Sequence, residues 1–467
     1  MLKLAAIVLA AGQGTRMKSP VPKVLHPLAG RPLIHYSVRA VLDAGASDVI
    51  VVVGHGGEKV QAYLADTFGG AVRTANQAEQ RGTGHAALMA LPALGDVENT
   101  LVVYGDAPLV EVGDLRALAA ALEGHPEAPM ALLTCVLGDP TGYGRVLRDA
   151  KGRVLAIREH RDVRSEKERA IAEVNPGFYA ARLSFLREAL GALRPSNAQN
   201  ELYLTDIVEA AEKKGGAIAL STEPASLVGV NDRTQLAAAE VSMHRRIIER
   251  LGRAGVTFRG DPRVDDSVEV EADVTLESGV VLRGKTTIRR GAVVDVGSVI
   301  SDATIDEGAH ILPYSVVTQS RVGPRAKVGP FAHLRPGSEI GEEAHIGNFV
   351  ETKKTLVRAR AKANHLAYLG DGDVGEDSNV GAGTIFCNYD GVTKHQTIIG
   401  RGAFIGSDSQ LVAPVTIGEG AYVATGTTVT EDVPPNALAI GRVRQQNKLG
   451  YAAKLKTKLA GRVNRTK

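Results

Sequence analysis

Glycines and two basic residues follow the first apolar run of the chain. The segment Leu9-Ala10-Ala11-Gly12-Gln13-Gly14-Thr15-Arg16-Met17 ends that run, and Lys23 comes soon after it. Glycines let backbone amides approach an anion closely, and the two cations add charge at the same place. The segment is a candidate phosphate cradle, although a tight strand-to-helix turn would use the same glycines. It lacks the Gly-Lys-Ser/Thr of a Walker loop and the third glycine of a dinucleotide fingerprint.

An aspartate supplies an oxygen ligand near this cradle. Asp106 lies just beyond a second apolar run, in the segment Gly105-Asp106-Ala107-Pro108. In a parallel sheet, ligands bind at the carboxyl ends of strands, where the cradle and Asp106 would both fall. Mg²⁺ takes one or two protein oxygens and completes its shell with water and phosphate. Asp106 is therefore a candidate Mg²⁺ ligand, and the alternative is a capping or turn aspartate before a proline.

An amide-rich segment lies between these two runs. It reads Gln77-Ala78-Glu79-Gln80-Arg81-Gly82-Thr83-Gly84-His85-Ala86. Amide side chains offer a donor and an acceptor together, which is what reading the edge of a base requires. Gln77 is a candidate base-reading residue, although a single glutamine is more often a surface loop residue.

A second group of polar residues stands out in the last third of the chain. It contains Arg335, Lys353, His365, Tyr368 and Asn379. The cations suit a sugar phosphate, and a neutral imidazole is a natural base for taking a proton from an attacking ammonium. A lone histidine is usually structural. The interpretation of His365 as a base therefore depends on the cations of the same group.

A six-residue period organises the second half of the chain. Every sixth position from 322 to 346 is aliphatic, and the period returns from 399 to 429. Such a period is typical of a coil of short strands, three to a turn, with one aliphatic per strand pointing inward. Antiparallel strands would need turn signals about every 8 to 12 residues, which are absent. The period predicts a parallel β-helix that begins irregularly near Val264.

A polar stretch interrupts this period at residues 386–394, which read Phe-Cys-Asn-Tyr-Asp-Gly-Val-Thr-Lys. Polar residues cannot sit in the core of the coil, so we expect a projecting loop able to cover a groove of a neighbour. A turn without function is the alternative.

The first half alternates apolar runs with helical stretches. Residues 2–10, 48–54 and 100–104 are predicted to be buried strands of a Rossmann-like α/β domain with a mixed, mostly parallel sheet. A helix is predicted over residues 233–251, as an arm that packs on both domains. We expect a first domain at 1–232, a linker helix at 233–255, a β-helix at 256–441 and a basic tail at 442–467.

Composition excludes several classes of partner. The net charge of +3 is too small to indicate a polyanion. Cys135 and Cys387 lie outside any metal-ligand spacing, so reduced thiols in a cytoplasmic protein are expected. The first apolar run lacks a basic leader and leads into a GxG turn, which favours a buried strand over a signal sequence. No run is long enough to span a bilayer, so no membrane partner is expected.

These motifs carry a family resemblance. The segment from Leu9 to Lys23, with Gly105-Asp106, resembles the sugar-1-phosphate nucleotidyltransferases, and QAEQRGTGHA resembles the bacterial uridylyltransferases among them. With the hexapeptide region, residues 1 to about 445 resemble the family of bifunctional glucosamine-1-phosphate N-acetyltransferases/N-acetylglucosamine-1-phosphate uridylyltransferases. The resemblance implies a left-handed β-helix and a cytoplasmic homotrimer that supplies precursor for peptidoglycan and lipopolysaccharide.

The resemblance also implies the reactions. Acetyl-CoA would acetylate glucosamine-1-phosphate in the second domain. The product, N-acetylglucosamine-1-phosphate, would then attack the α-phosphorus of UTP in the first domain and release pyrophosphate. Such a transfer needs cations, here Arg16, Lys23 and Mg²⁺, and no covalent nucleophile. The partners would be these small molecules, without nucleic acid.

Roles for single residues in the first domain follow from the same resemblance. Asp106 and Asn231 would hold Mg²⁺. The residues that would bind the nucleotide and the nucleotide sugar are Leu9, Ala10, Ala11, Gly12, Arg16, Lys23, Gln77, Gly82, Thr83, Tyr104, Gly105, Asp106, Gly142, Glu159, Asn175 and Asn231.

In the second domain, the resemblance makes His365 the catalytic base. Asn388 would support His365, Tyr389 would contact the substrate, and Ser407 would stabilise the tetrahedral oxyanion. The sugar phosphate would be bound by Arg335, Lys353, Tyr368 and Asn379, and the CoA path would be lined by Ala382, Thr425 and Arg442.

Three positions depart from the family pattern. Pro176 follows Asn175 where a small polar residue is usual, and because proline lacks an amide N–H, any contact of that backbone N–H with the sugar would be lost. Arg158 replaces an aliphatic residue before Glu159. Thr425 stands where alanine is usual, which would perturb the packing of CoA without abolishing its binding.

Residues 442–467 hold nine Lys and Arg and no acid. This tail could meet the phosphates of CoA or a nucleic acid, although a disordered, solvated terminus is commoner. Two other functions remain open: a single-activity nucleotidyltransferase whose β-helix only oligomerises, and a non-catalytic scaffold that binds nucleic acid through the tail.

Overall fold

The computed structural model of the chain describes residues 3–54, 56–195 and 197–463. Position Leu2, the predicted start of the first strand, lies outside the described residues, as do Arg465 and Lys467 of the tail. The chain divides into two compact units. One comprises Met1–Arg250 with Val264–Ser267, and the other Leu251–Arg263 with Val268–Lys467.

A mixed ten-stranded sheet forms the centre of the first unit, in the order β5-β4-β1-β6-β11-β7-β10-β8-β9 with β12 beside β7, while β2 and β3 form a separate pair. The strands of this unit are β1 Leu4–Ala10, β2 Pro27–Leu28, β3 Arg31–Pro32, β4 Asp48–Val53, β5 Val72–Asn76, β6 Asn99–Tyr104, β7 Met130–Val136, β8 Gly144–Arg148, β9 Val154–Arg158, β10 Glu173–Asn175, β11 Tyr179–Arg182 and β12 Ala217–Ser221. The helices are α1 Leu33–Asp43, α2 Gly57–Phe68, α3 Thr83–Ala90, α4 Val112–Gly124, α5 Glu166–Arg169, α6 Leu183–Ala192, α7 Asp206–Glu212, α8 Pro224–Leu227 and α9 Arg233–Arg253.

Both faces of β1 are buried, which explains its unbroken apolar sequence. Ala6 and Val8 belong to a core cluster with residues of α1, α2 and α4. Ala5 and Ile7 belong to a second cluster with residues of α3, α6 and α7. A parallel strand covered by helices on both sides needs apolar residues at every position. The predicted α/β domain is confirmed.

Strand pairing brings the two candidate motifs of this unit together. β1 lies between β4 and β6 and pairs with both in parallel, so that Leu9 is opposite Tyr104. The chain leaves β1 into the Gly12 segment and leaves β6 into Gly105 and Asp106. Both segments therefore start from the same edge of the sheet, as predicted.

The second unit is built from short strands in three parallel sheets. Its strands are β13 Thr257–Arg259, β14 Arg263–Val264, β15 Glu269–Val270, β16 Thr275–Glu277, β17 Val281–Arg283, β18 Thr287–Ile288, β19 Val293–Val294, β20 Val299–Ser301, β21 Thr304–Ile305, β22 His310–Ile311, β23 Val316–Thr318, β24 Arg321–Val322, β25 Lys327–Val328, β26 His333–Leu334, β27 Glu339–Ile340, β28 His345–Asn348, β29 Glu351–Lys353, β30 Leu356–Val357, β31 Lys362–His365, β32 Tyr368–Gly370, β33 Gly372–Val374, β34 Asn379–Val380, β35 Ile385–Cys387, β36 Thr397–Ile399, β37 Phe404–Ile405, β38 Gln410–Val412, β39 Val415–Ile417, β40 Tyr422–Val423, β41 Thr428–Val429 and β42 Leu438–Ala439.

Every third strand belongs to the same sheet. The first face begins with β13 and ends with β42, the second runs from β14 to β41, and the third runs from β15 to β39. Each strand pairs in parallel with the strand one coil later, as Lys327 does with His345. This is the predicted parallel β-helix, and the hexapeptide repeats are those of a left-handed coil.

The inward residues follow the predicted period. All eleven aliphatic residues at the predicted spacing are buried, with at most 4% exposure: Val322, Val328, Leu334, Ile340, Ile346, Ile399, Ile405, Leu411, Ile417, Val423 and Val429.

The prediction that the coil is irregular before Val322 is wrong for its first coils and right for the later ones, where the inward residues Ile300 and Ile305 are five positions apart. Val264, Leu276 and Leu282 are fully buried at multiples of six residues, so the earliest coils are regular. The period shifts later, because some coils are one residue shorter. Thr287 pairs with Thr304, 17 positions on, whereas Glu269 pairs with Thr287, 18 positions on. A corner with one residue fewer keeps the next aliphatic pointing inward.

The projecting loop begins later than predicted. Phe386 is 1% exposed and lies in the core, as part of β35. Ile385 pairs with Gln410, 25 positions on, so this coil carries the extra residues. They leave the coil after Cys387 and return before β36, and a bridge between Tyr389 and Lys394 closes the loop.

The described part of the basic tail contains a helix, α10 Tyr451–Val463, where a disordered terminus is the commoner expectation. Both cysteines are free thiols, as predicted. Among the helices of the described residues, none combines the length and apolarity that crossing a membrane requires.

The buried period makes a prediction about stability. Ile346→Ala should lower the free energy of unfolding of the second unit by about 2–5 kcal/mol, since it leaves a cavity in a fully buried position. The exposed strand residue Lys327→Ala is the matched control and should change it by less than about 0.5 kcal/mol. Urea unfolding followed by circular dichroism measures both, and equal effects would contradict the inward assignment.

Candidate active sites

A cavity of about 310 Å³ opens at the carboxyl ends of β1 and β6 in the first unit. Eleven of the sixteen predicted nucleotide-site residues line it: Leu9, Ala10, Ala11, Gly12, Lys23, Gln77, Gly82, Thr83, Tyr104, Asp106 and Asn231. Four residues that the sequence prediction did not include also line it: Val24, Gln80, Ala86 and Glu201. Gln80 belongs to the amide-rich segment and could have been found there, whereas Glu201 lies in a stretch without a recognisable pattern.

Gly14 determines where Lys23 lies. Its φ is 62°, and an added Cβ would be 2.5 Å from Cβ of Lys23. The stem of Lys23 therefore crosses directly over Gly14, and any other residue would displace it. The glycine that the sequence assigned to anion binding also places a cation.

Four polar side chains meet at the rim of the cavity. Nζ of Lys23 donates to Oδ2 of Asp106 and, at 3.2 Å, to Oδ1 of Asn231. Nη2 of Arg16 also donates to Oδ1 of Asn231, at 3.0 Å. Arg16 is thus tied to the site although it does not line the cavity. Two cations and one carboxylate leave the rim with net positive charge, which suits a polyphosphate.

Asp106 and Asn231 fit the Mg²⁺ that the resemblance implies. Both oxygens already accept hydrogen bonds from one cation, so both point to a common position. One carboxylate and one amide oxygen suit an ion that takes its other ligands from phosphate and water. Within residues 3–54, 56–195 and 197–463, no group of three or more His, Cys, Asp and Glu side chains could hold a metal. A site with a single carboxylate is compatible with that finding.

The amide-rich segment closes another side of the cavity. Gly82 has a φ of 100°, and an added Cβ would be 2.5 Å from the carbonyl oxygen of Leu202, so only glycine fits. Gln77 is 4% exposed, and its Nε2 donates to the carbonyl of Gly82 at 3.0 Å. Gln80 donates to the carbonyl of Ala11 at 2.8 Å and so joins this segment to the cradle.

Glu159 and Asn175 do not line the cavity but surround Tyr104, which does. Burial raises the pKa of Tyr104, and the charges of Glu159 and Asp106 raise it further. Asn175 donates to the hydroxyl of Tyr179 at 2.6 Å. These residues support the wall of the cavity.

The two remaining residues of the predicted set also lie outside the cavity lining. Gly105 packs under it, since an added Cβ would be 2.7 Å from Ile34. Gly142 has a φ of 88° and open space at its Cβ position.

His365 lies at an exposed corner of the second unit, at the end of β31. Its Nδ1 is 2.7 Å from Oδ1 of Asn348, the residue one coil earlier. An amide oxygen can only accept, so Nδ1 carries the proton and the lone pair of Nε2 points outward. The sequence prediction missed Asn348. The repeat could have located it, because the residue one coil before His365 lies about 17 or 18 positions earlier in the chain.

Three other predicted residues occupy the same corner position as His365 in later coils. The register of the first face places Ala382, Ser407 and Thr425 successively after it. Nη1 of Arg442 donates to the carbonyl of Thr425. The predicted base, oxyanion residue and CoA-path residues therefore form one line along the coil axis.

Three cations lie together on the second face. Arg335 and Lys353 occupy equivalent positions in adjacent coils, and Nη1 of Arg335 donates to Glu351 at 2.8 Å. The ammonium of Lys394, from the projecting loop, contacts Lys353 and lowers its pKa, and the charge of Arg335 lowers it further. Lys394 was not among the predicted site residues, although it closes the loop that the sequence singled out. This cluster suits a phosphate group.

Two more predicted residues meet beside this cluster. An added Cβ at Gly370 would be 2.5 Å from the hydroxyl of Tyr368 and 2.7 Å from Nδ2 of Asn388, so the glycine leaves room for both. Asn388 donates to Asp371 at 2.6 Å.

Within one chain these residues do not all meet. Asn388 lies at the corner after the second face, whereas His365 lies at the corner after the first. Tyr389 is 59% exposed, and its hydroxyl donates to the carbonyl of Gly391 at 2.6 Å. Asn379 lies on the first face, in β34. The second unit thus carries two partial sites on different sides.

An apolar ridge runs along the corner next to His365. It consists of Tyr314, Phe331, Phe349 and Leu366, which are 48–60% exposed. The rings of Tyr314 and Phe331 stack at 5.3 Å, and those of Phe331 and Phe349 at 5.4 Å. All four have φ between 51° and 57°, a conformation that bulky residues rarely adopt. An exposed apolar stripe whose residues all have this unfavourable backbone conformation indicates an interaction surface.

Comparison with known proteins agrees with both halves of this description. Residues 6–171 match the MobA-like NTP transferase domain family, and residues 396–431 match six repeats of the bacterial transferase hexapeptide family. The bifunctional protein GlmU of Sorangium cellulosum is 60% identical over 461 residues, which cover 98% of this chain and 97% of that protein. GlmU of an Anaeromyxobacter strain is 50% identical over 457 residues, 97% and 93% of the two chains. GlmU of Trichlorobacter lovleyi is 46% identical over 455 residues, 96% and 98%.

Fold and sites together describe a nucleotidyltransferase joined to a hexapeptide acyltransferase. Since the similarity to the relatives extends over nearly the whole chain, it includes both units and the helix α9. The chain belongs to the family of bifunctional GlmU proteins. It is a bifunctional enzyme with uridylyltransferase and N-acetyltransferase activities, as the sequence predicted.

The buried carboxyl group beside Tyr104 makes stability depend on pH. Burial raises the pKa of Glu159 above its ordinary 4.5, and Asp162 and Asp206 raise it further. A carboxyl group whose pKa is raised in the folded protein contributes its full stabilisation below pH 4.5. That contribution to stability is lost as the pH rises through the pKa of the folded state. Glu159→Gln should therefore match the native protein near about pH 4 and be more stable near about pH 7.

Urea unfolding at both pH values measures this difference. Glu58→Gln, at an exposed glutamate, is the matched control. Its stability relative to the native protein should be the same at both pH values. A Glu159→Gln variant less stable than the native protein at neutral pH would contradict the assignment.

Proposed function

We propose that the two units act in sequence to make UDP-N-acetylglucosamine. The second unit transfers the acetyl group of acetyl-CoA to glucosamine-1-phosphate, and the first transfers a uridylyl group from UTP to the product, releasing pyrophosphate. The presence of two separate cation-rich sites in one chain carries this proposal. One lies at the strand ends of an α/β sheet, and the other is the cluster of Arg335, Lys353 and Lys394 on the second face of the β-helix.

In the first unit, Lys23 and Arg16 offset the negative charge of the triphosphate, and Gln77 with Gly82 faces the base. Asp106 and Asn231 would hold Mg²⁺, which when bound would supply further positive charge to the phosphates. The sugar phosphate attacks in line with the leaving pyrophosphate, so the enzyme contributes positioning and charge and forms no covalent intermediate.

In the second unit, His365 is the general base. Asn348 holds Nδ1, so Nε2 is free to take a proton from the attacking ammonium of glucosamine-1-phosphate. Arg335, Lys353 and Lys394 hold the phosphate. The amine attacks the thioester carbonyl, CoA leaves as the thiol, and Ser407 donates to the oxyanion.

The functional assembly is a homotrimer in which neighbouring coils complete the acetyl-transfer site. Two observations support it: His365 and Asn388 lie at different corners of one chain, and the apolar ridge borders His365 directly. A second copy that covers the ridge also approaches the histidine, so its projecting loop can complete the site. The product supplies cell-wall and lipopolysaccharide precursor synthesis in the cytoplasm.

Single substitutions should separate the two activities. His365→Ala should lower acetyl transfer by about 10²- to 10⁴-fold, the contribution of a general base, and leave uridylyl transfer unchanged. Asp106→Ala should lower uridylyl transfer by about 10²-fold or more and leave acetyl transfer unchanged. Mass spectrometry of products formed with and without acetyl-CoA measures both steps.

His310→Ala is the control, since His310 lies on the same face three coils before His365. Loss of both activities in either folded variant would exclude two independent sites. Conversion of supplied N-acetylglucosamine-1-phosphate without any acetyl transfer by the native protein would make the β-helix a scaffold.

The ridge should control assembly. Phe331→Asp should weaken association by more than about tenfold, because a buried aromatic residue at an interface contributes about 2 kcal/mol or more. Acetyl transfer should fall with it, while uridylyl transfer persists. Light scattering after size-exclusion chromatography measures the mass. Val241→Asp, which adds the same charge at an exposed aliphatic residue of α9, is the control. If Phe331→Asp remained a trimer, the ridge would not be the interface.

A further inference from the structure

We propose that Lys23 is an internal substitute for the metal ion, and that its ammonium occupies the Mg²⁺ position until a nucleotide draws it away. This inference rests on the proposed metal site of Asp106 and Asn231. It goes further by assigning Lys23 a role before nucleotide binds and by predicting competition between this side chain and the metal.

The contacts of Lys23 carry the inference. Its ammonium donates to Asp106 and to Asn231, so one cation contacts both proposed metal ligands. The side chains of Lys23 and Asp106 are 14% and 13% exposed, so water screens their interaction only in part. A buried carboxylate without a partner is costly, and Lys23 supplies that partner in the absence of metal.

The ammonium and a divalent cation cannot share these oxygens. Mg²⁺ binds its ligands at about 2.0–2.1 Å and would repel a positive charge held between the same two atoms. Metal binding therefore requires the ammonium of Lys23 to leave.

The structure provides a place for the ammonium to go. Gly14 fixes the Cβ end of the stem, and Lys23 also lines the cavity, so a rotation about its side-chain bonds carries the charge toward the bound phosphates. A lysine has the flexible four-carbon stem that such a movement needs. Nucleotide phosphates attract Lys23 and thereby free the metal ligands, so nucleotide and metal strengthen each other's binding.

Arg16 provides the contrast within the same site. Its guanidinium donates to Asn231 on the exposed side, and within the described part of the chain it forms no hydrogen bond with Asp106. Arg16 and Lys23 each bring one positive charge. A general effect of charge on metal affinity would therefore be similar for both, whereas displacement from the ligands concerns Lys23 alone.

Mn²⁺ binding to the full-length protein without nucleotide tests the proposal. The free ion is measured by electron paramagnetic resonance for the native protein, Lys23→Gln, Lys23→Met, Arg16→Gln and Asp106→Asn. We expect both Lys23 variants to bind Mn²⁺ about tenfold more tightly than the native protein, since a charge-assisted contact of this kind corresponds to roughly that factor. Arg16→Gln should change the affinity by less than about threefold.

The thermal unfolding midpoint gives a second readout. Without metal, Lys23→Gln should unfold at lower temperature than the native protein, and Mn²⁺ should raise its midpoint by more than it raises the native one. Circular dichroism establishes that the variants are folded.

The outcomes separate two kinds of failure. Lys23 variants that bind Mn²⁺ no more tightly than the native protein, or no more tightly than Arg16→Gln, overturn the substitute role and leave the metal site standing. Native-like Mn²⁺ binding by Asp106→Asn would instead overturn the metal site itself.

Discussion

Parallel pairing of strands in a fixed register is the constraint on which both sites depend. In the first unit, β1 and β6 lie side by side with Leu9 opposite Tyr104, so the segments that follow them meet at one edge. In the second unit, each coil repeats the register of the coil before, so His365, Ala382 and Ser407 stand in line. Residues far apart in sequence become neighbours because backbone hydrogen bonds hold the register.

The solid core of the β-helix has a consequence for its chemistry. The inward positions hold aliphatic or small side chains and the ring of Phe386, so a substrate can bind only on the outside, at a face or a corner. A site on the outer surface of one coil is open to solvent, and excluding water from it needs a second surface to cover it. The exposed ridge beside His365 and the projecting loop are the features that such an assembly would use.

The first unit handles charge differently. Its cavity is concave and partly closed, and its cations are held by the same oxygens that suit a metal ion. A polyphosphate that enters the cavity finds two cations at its rim, and the flexible stem of Lys23 lets its ammonium turn toward the phosphates. The residues around Tyr104 stabilise the wall, and burial there raises the pKa of the Glu159 carboxyl.

The sequence alone determined the fold class of both units and the inward period, and it singled out most of the residues that line the cavity of the first unit. Hydrophobic periodicity and apolar runs indicate which side chains are buried, and they can be recognised within a short stretch of sequence. The register decided the rest. The contact of Asn348 with His365, the approach of Lys394 to Lys353 and the separation of Asn388 from His365 depend on coil length and on the corners at which residues fall. The bridging position of Lys23 depends on Gly14 and on two residues 83 and 208 positions away, a relation that only folding creates.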